Sequence, residues 1–137
     1  MIYALDSNTI SNILRNEGET RNNYTHEIIE LGNRCAIPFM VMHEVKRWLI
    51  YKPTKTTKVY NNEFDIWFSS VKHRAEMPIK VWEKATEIYI TLKAKGQLIG
   101  NADILIASYC LVNDYTLVTR NTKDFVRIDG LKCVNWY

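Results

Sequence analysis

Ile2 to Leu5 is a short, uninterrupted run of apolar strand formers, the pattern of a strand buried on both faces of a parallel sheet. It ends at Asp6. Ser7, Asn8 and Thr9 then offer side-chain oxygens for a helix N-cap, and Ile10, Ile13 and Leu14 recur at helical spacing. Thr20 to Gly32 predicts a second helix with Ile28, Ile29 and Leu31 on its buried side and Gly32 at its stop. Cys35 to Phe39 is a second strand candidate. From Met40, the positions Val41, Val45, Trp48 and Leu49 describe a helix with Glu44 in its first turn or two, broken at Lys52-Pro53-Thr54.

Lys55 to Val71 keeps helical spacing through Tyr60, Phe64, Trp67, Phe68 and Val71, although Asn61-Asn62 weakens the propensity. Met77 to Val81 reads as a brief strand or extended entry. Trp82 to Lys95 predicts a helix with Ala85, Ile88, Tyr89 and Leu92 inward, closed by Gly96. Asn101 or Ala102 opens another helix carrying Ile104, Leu105, Ala107, Ser108 and Leu111; Thr116 to Thr119 and Lys132 to Trp136 are the last strands. Strands alternating with longer helices predict an α/β fold with a central, mostly parallel sheet flanked by helices. Residues 1–137 contain no repeat, linker or low-complexity run, and at this length one domain is expected. In such sheets the working site lies beyond the carboxyl ends of the strands, where Asp6 falls.

The composition, 47% hydrophobic and 24% charged, excludes the disordered and collagen-like classes. Eighteen basic and 15 acidic residues give a formal net charge of +3, which permits a nucleic-acid partner without requiring one. Cys35, Cys110 and Cys133 lack CxxC spacing, so neither a disulfide framework nor a zinc knuckle is indicated and a reducing cytoplasm is the expected home. The first residues carry no basic region before Asp6, so no signal peptide is expected. No stretch approaches the roughly 18 apolar residues of a membrane helix, and no membrane partner is expected.

Four acids occupy corresponding places. Asp6 follows the first strand, Glu44 lies early in the helix after the second, Asp103 begins a helix, and Asp124 follows the Thr116 to Thr119 strand. Taken singly each has an ordinary explanation: a turn or N-cap at Asp6, a solvated helix position at Glu44, a favourable helix start at Asp103, a capping box from Asn121 to Asp124. Together, in parallel neighbouring strands, they meet in one crevice, where mutual repulsion calls for a positive charge. A hard divalent cation, Mg²⁺ or Mn²⁺, takes oxygen ligands and answers that need. His26, His43 and His73 show no ligand spacing.

The segments Ile99-Gly100-Asn101-Ala102-Asp103-Ile104-Leu105-Ile106-Ala107 and Leu117-Val118-Thr119-Arg120-Asn121-Thr122-Lys123-Asp124-Phe125 resemble the PIN-domain nucleases, specifically the VapC toxins of bacterial type II toxin-antitoxin pairs. Ile128-Asp129-Gly130-Leu131 with Asn135-Trp136, and Leu5-Asp6-Ser7-Asn8-Thr9, resemble the same family, so the likeness runs the length of the chain. The resemblance implies a PIN fold, Mg²⁺- or Mn²⁺-dependent endoribonuclease activity and inhibition by a VapB-type antitoxin. It makes Asp6, Glu44 and Asp103 the acidic triad, Asp124 the fourth acid, and Asn8, Thr119 and Asn121 polar supports. The C-terminal half is similar to members that cut initiator tRNA in the anticodon stem-loop, which implies tRNA as substrate. Asn121 stands where many PIN domains carry an Asp, which puts a full second metal site in doubt. The segment from Lys52 to Met77 carries no family motif and is expected to vary with substrate or antitoxin.

For RNA contact, Arg120 and Lys123 lie beside the acids, and Lys46 and Arg47 belong to a basic stretch interleaved with Trp48 and Tyr51. Solvation accounts better for the lysines, and Trp48 sits at core spacing, so core packing is the favoured reading of that ring. A homodimer or a toxin-antitoxin hetero-oligomer is expected. Two rival readings share the pattern. One is a haloacid-dehalogenase-type phosphatase with Asp6 as nucleophile, opposed by Asn8, which stands where the general acid is needed and cannot exchange a proton. The other is a non-catalytic binding module acting through its partner on operator DNA.

Overall fold

The computed structural model describes residues 1–71, 73–75 and 77–137, with 73–75 contributing backbone alone. The expected β-α alternation is present: β1 Ile2–Leu5, α1 Ser7–Arg15, α2 Gly18–Tyr24, a wider π-helical stretch Thr25–Glu30, β2 Arg34–Pro38, α3 Phe39–Ile50, α4 Lys55–Ser70 and β3 His73–Ala75. There follow α5 Ile79–Ala94, α6 Asn101–Asn113, β4 Thr116–Val118, the short α7 Thr122–Phe125 and β5 Cys133–Val134. The sheet order is β3-β2-β1-β4-β5 and every pairing is parallel. Among the described residues no helix is long and apolar enough to cross a membrane.

Parallel strands covered by helices on both faces must be apolar throughout, and Ala4, Leu5, Ala36, Ile37, Leu117 and Val118 are all fully buried. Ile10 of α1, Val41 of α3, Phe64 of α4, Val81 of α5 and Ala107 of α6 join the same core. The chain winds from β1 outward to β3, then crosses back through α5 and α6 to place β4 on the other side of β1. The order of strands therefore reverses between β1 and β4. At such a switch point the loops leave in opposite directions and open a crevice at the carboxyl ends of the strands. Asp6 and Thr119 are the first residues beyond those two ends.

Four local expectations are corrected. The helix expected over Thr20 to Gly32 is α2 continued by the π-helical stretch; its wider turn shifts the phase of the side chains, so Ile28 packs against the core while Ile29 and Leu31 are exposed. No strand runs over Met77 to Val81. Pro78 caps a helix there, and Val81 joins Ala85, Ile88 and Leu92 in one buried stripe, whereas Tyr89 points outward. The strand instead lies earlier, at His73–Ala75. The N-cap of α1 is Asp6 itself, not one of the three residues after it.

Phe64 is fully buried and Ile66, two residues on and so on the opposite side of α4, is 74% exposed. Phe64→Ala is expected to lower the unfolding free energy by about 3–5 kcal/mol, and Ile66→Ala to change it by less than about 0.5 kcal/mol. Urea denaturation of both variants tests the inward face of α4, and equal losses would refute it.

Candidate active site

Asp6 leaves β1 in extended conformation (φ −81°, ψ 171°) and turns the chain into α1, its Oδ1 accepting the Thr9 backbone N–H at 2.8 Å. The same carboxyl is largely buried. Burial pushes its pKa up, hydrogen bonds from Thr9 and from the Thr119 side chain pull it back, and the charge of Glu44 raises it again. Thr119 also accepts the Asn121 backbone N–H on its hydroxyl at 3.1 Å. One buried threonine thus ties the ends of β1 and β4 together.

Glu44 stands in the second turn of α3, half-buried. Asp103 stands in the first turn of α6, where the helix N-terminus favours a negative charge. Burial pushes the Asp103 carboxyl up, and the charges of Glu44, Asp124 and Asp6 push it further. Every charge acting on it is an acid. Asp124 in α7 is fixed by the Asn121 amide, which donates to its Oδ2 at 2.9 Å, and by Arg127 at 3.6 Å from Oδ1. The capping box that would have been the ordinary explanation of Asp124 is absent, since Asn121 meets the Asp124 side chain and caps no backbone N–H.

The four acids therefore share one electrostatic neighbourhood, yet among the described residues no three His, Cys, Asp or Glu side chains are drawn tightly enough to enclose an ion by themselves. The donor set suits a hard cation. It is all carboxylate oxygen, and Mg²⁺ commonly takes one or two protein carboxylates and fills its shell with water and phosphate. His26 pairs with Glu30 and His43 is an exposed residue of α3; the side chain of His73 lies outside the described residues.

Of the supporting residues, Thr119 and Asn121 engage the acids, while Asn8 is exposed and hydrogen-bonds to none of them among the described residues. Of the expected RNA contacts, Arg120 is exposed with its guanidinium carbon 5.7 Å from the centre of the Tyr137 ring, and Lys123 and Arg47 are exposed. Lys46 is turned away. Its ammonium binds Asp65 and the Asn61 side chain, fastening α3 to α4. Trp48 is half-buried, with the Arg15 guanidinium carbon 4.8 Å from the centre of its ring.

Two residues near the site escaped sequence reasoning. The Thr9 side chain is fully buried, bonded to the Val118 carbonyl at 3.3 Å and to the Tyr137 hydroxyl at 3.2 Å. Burial holds that tyrosine up at about 12, so it stays a neutral hydroxyl near Asp6. Neither role leaves a spacing signal, because the partners are more than a hundred residues apart in the chain.

Residues 3–131 match the family model of the PIN domain, a span that contains all four acids. Over 99% of its length the chain is 33% identical to Ribonuclease VapC2 of Rickettsia felis, covering 98% of that protein. The chain belongs to the PIN-domain family, among the VapC ribonucleases. A VapC1 of Haemophilus influenzae is 26% identical, again with 99% of this chain and 98% of that protein covered. Among solved structures, VapBC2 of Rickettsia felis bound to a promoter DNA fragment matches with a TM-score of 0.83 at 30% identity, both chains covered completely. Membership of the PIN family displaces the phosphatase reading of Asp6.

The charge crowding in this PIN domain has a sign that can be measured. Asp6 and Asp103 titrate above the ordinary carboxylate value, so protonation favours the fold; that contribution is complete below about pH 3.9 and is lost as pH rises through the folded-state values. In EDTA, Asp103→Asn is expected to raise the melting temperature by a few °C at pH 7 and to leave it unchanged near pH 3. An equal fall at both pH values would sink the account.

Proposed function

We propose that this PIN domain is the toxin of a type II toxin-antitoxin pair and acts as a Mg²⁺- or Mn²⁺-dependent endoribonuclease, with tRNA, foremost the initiator tRNA anticodon stem-loop, as its substrate. The main support is the state of Asp103, a half-buried carboxylate raised by three neighbouring acids and, among the described residues, paired with no cation. A divalent ion relieves that repulsion at the one place where the sheet opens. The naming of relatives on both counts as ribonucleases VapC supports RNA as the polymer cut.

When bound, the cation supplies positive charge to the phosphate oxygens and makes a water molecule acidic enough to attack. The chain's own residues do the positioning. Asp6, with one oxygen fixed by the Thr9 N–H, and Asp103 would hold the ion. Glu44, whose charge reaches both, would orient a water and take up its proton, and Asp124, in the rotamer set by Asn121, would be a further ligand. Arg120, Lys123 and Arg47 contact the RNA backbone. Lys46 serves the α3–α4 contact and leaves that set.

A VapB-type antitoxin is the proposed partner, within a homodimer or a toxin-antitoxin hetero-oligomer. The Rickettsia felis relative was solved as VapBC2 with promoter DNA, which favours a further part for the assembled pair in operator binding.

Asp6→Asn and Asp103→Asn are expected to stay folded and to lose metal-dependent cleavage of end-labelled total tRNA by more than about 100-fold, since outer-shell changes alone cost 10–100-fold. EDTA should abolish cleavage by the parent chain. A folded variant that still cuts would remove the acid from the mechanism.

A further inference from the structure

Beside Glu44 a cleft of about 290 Å³ runs between α1 and α3, lined among others by Asn8, Ser11, Arg15, Glu44, Arg47 and Trp48. Of the four acids, Glu44 lines it. Arg15, two turns of α1 beyond Asn8 and roughly 10 Å along the axis, and Arg47, one turn of α3 beyond Glu44, line the same cleft. Neither cation is tied up in a buried ion pair among the described residues. Arg15 is held over the Trp48 ring, its guanidinium carbon 4.8 Å from the ring centre, and meets Glu17 only at 3.9 Å with both side chains well exposed. Arg47 has no ion-pair partner among the described residues. Its neighbour Lys46, by contrast, is committed to Asp65.

We propose that this α1–α3 cleft is a subsite for the RNA strand next to the scissile bond, in which Arg15 and Arg47 grip a backbone phosphate and the Arg15–Trp48 stack offers a face to a base. The inference rests on the ribonuclease reading above. Planar guanidinium forks match phosphate oxygens in pairs, and a guanidinium laid on an aromatic ring is pre-positioned to do so. Stacked arginine also presents a surface on which unpaired RNA bases settle. The Ser11 hydroxyl adds a donor along the floor. An acidic peptide would satisfy the arginines too, but it brings no planar base to lay against the Arg15–Trp48 pair. An RNA strand meets Glu44 where the proposed reaction requires a phosphate in any case.

The test is metal-independent. Binding of a fluorescein-labelled single-stranded RNA of about 12 nucleotides is measured by anisotropy in EDTA, from about 50 to 200 mM KCl. Each of Arg15→Ala and Arg47→Ala is expected to make the log Kd against log salt slope shallower by about 0.7, and the double variant to bind about tenfold more weakly at low salt. Arg15→Lys should recover the slope but not the affinity, and Lys132→Ala, remote from the cleft, should change neither. If Arg15→Ala fails to fold, Arg47→Glu on an exposed side chain decides alone, with a weakened, shallower binding curve expected. A parent chain that binds RNA alongside an unaltered double variant overturns the subsite and leaves the nuclease reading standing. No RNA binding by the parent chain removes both. Displacement of the RNA by poly-glutamate as readily as by unlabelled RNA would make the occupant an acidic peptide, and the proposal would be wrong.

Discussion

Like charges held close together at the edge of a low-dielectric sheet are the constraint around which this molecule is arranged. Asp6, Glu44, Asp103 and Asp124 reach the same crevice from four separate segments, and the raised pKa values of Asp6 and Asp103 record the cost. Repulsion of this kind weakens a fold unless something else holds the segments in place. Here the buried strands do so. Leu5 and Val118, each immediately before a residue of the site, are inaccessible to solvent and leave their successors no freedom to retreat.

The position of the crevice follows from winding. Because β4 returns to the opposite side of β1 from β2, the connections after β1 and β4 diverge and leave a crevice between them. Thr119 bridges that gap by bonding toward Asp6 on one side and accepting the Asn121 N–H on the other. Asn121 then fixes Asp124. A short relay of hydrogen bonds thus carries the geometry of two central strands to a helix of a single turn.

The central strands were legible in the sequence because unbroken apolar runs mark buried parallel strands, and Asp6 stood out as the residue that ends the first of them; β3 left no such mark. Phase and partners were not legible. Ile29 and Leu31 fit a helical stripe on paper, and only the wider turn over Thr25–Glu30 rotates them into solvent. Met77 to Val81 alternates like a strand, but Pro78 suits a helix start equally well and burial of Val81 beside Ala85 decides between them. Lys46 looked as available as Arg47, and nothing nearby in the chain announces that Asp65 claims it. Distant pairings such as Thr9 with Tyr137 lie beyond any reading of spacing.

The Asp6 carboxylate caps a helix with Oδ1 while standing in the acid cluster. Drift at this position is therefore penalised twice over. A residue that keeps the charge but reaches further, such as glutamate, forfeits the tight turn into α1, and one that keeps the turn, such as serine, forfeits the anion. Only the few short uncharged capping residues, asparagine, serine and threonine, retain the cap while discarding the charge, so a lineage that silenced the chemistry without unravelling the protein would have a narrow door through which to pass.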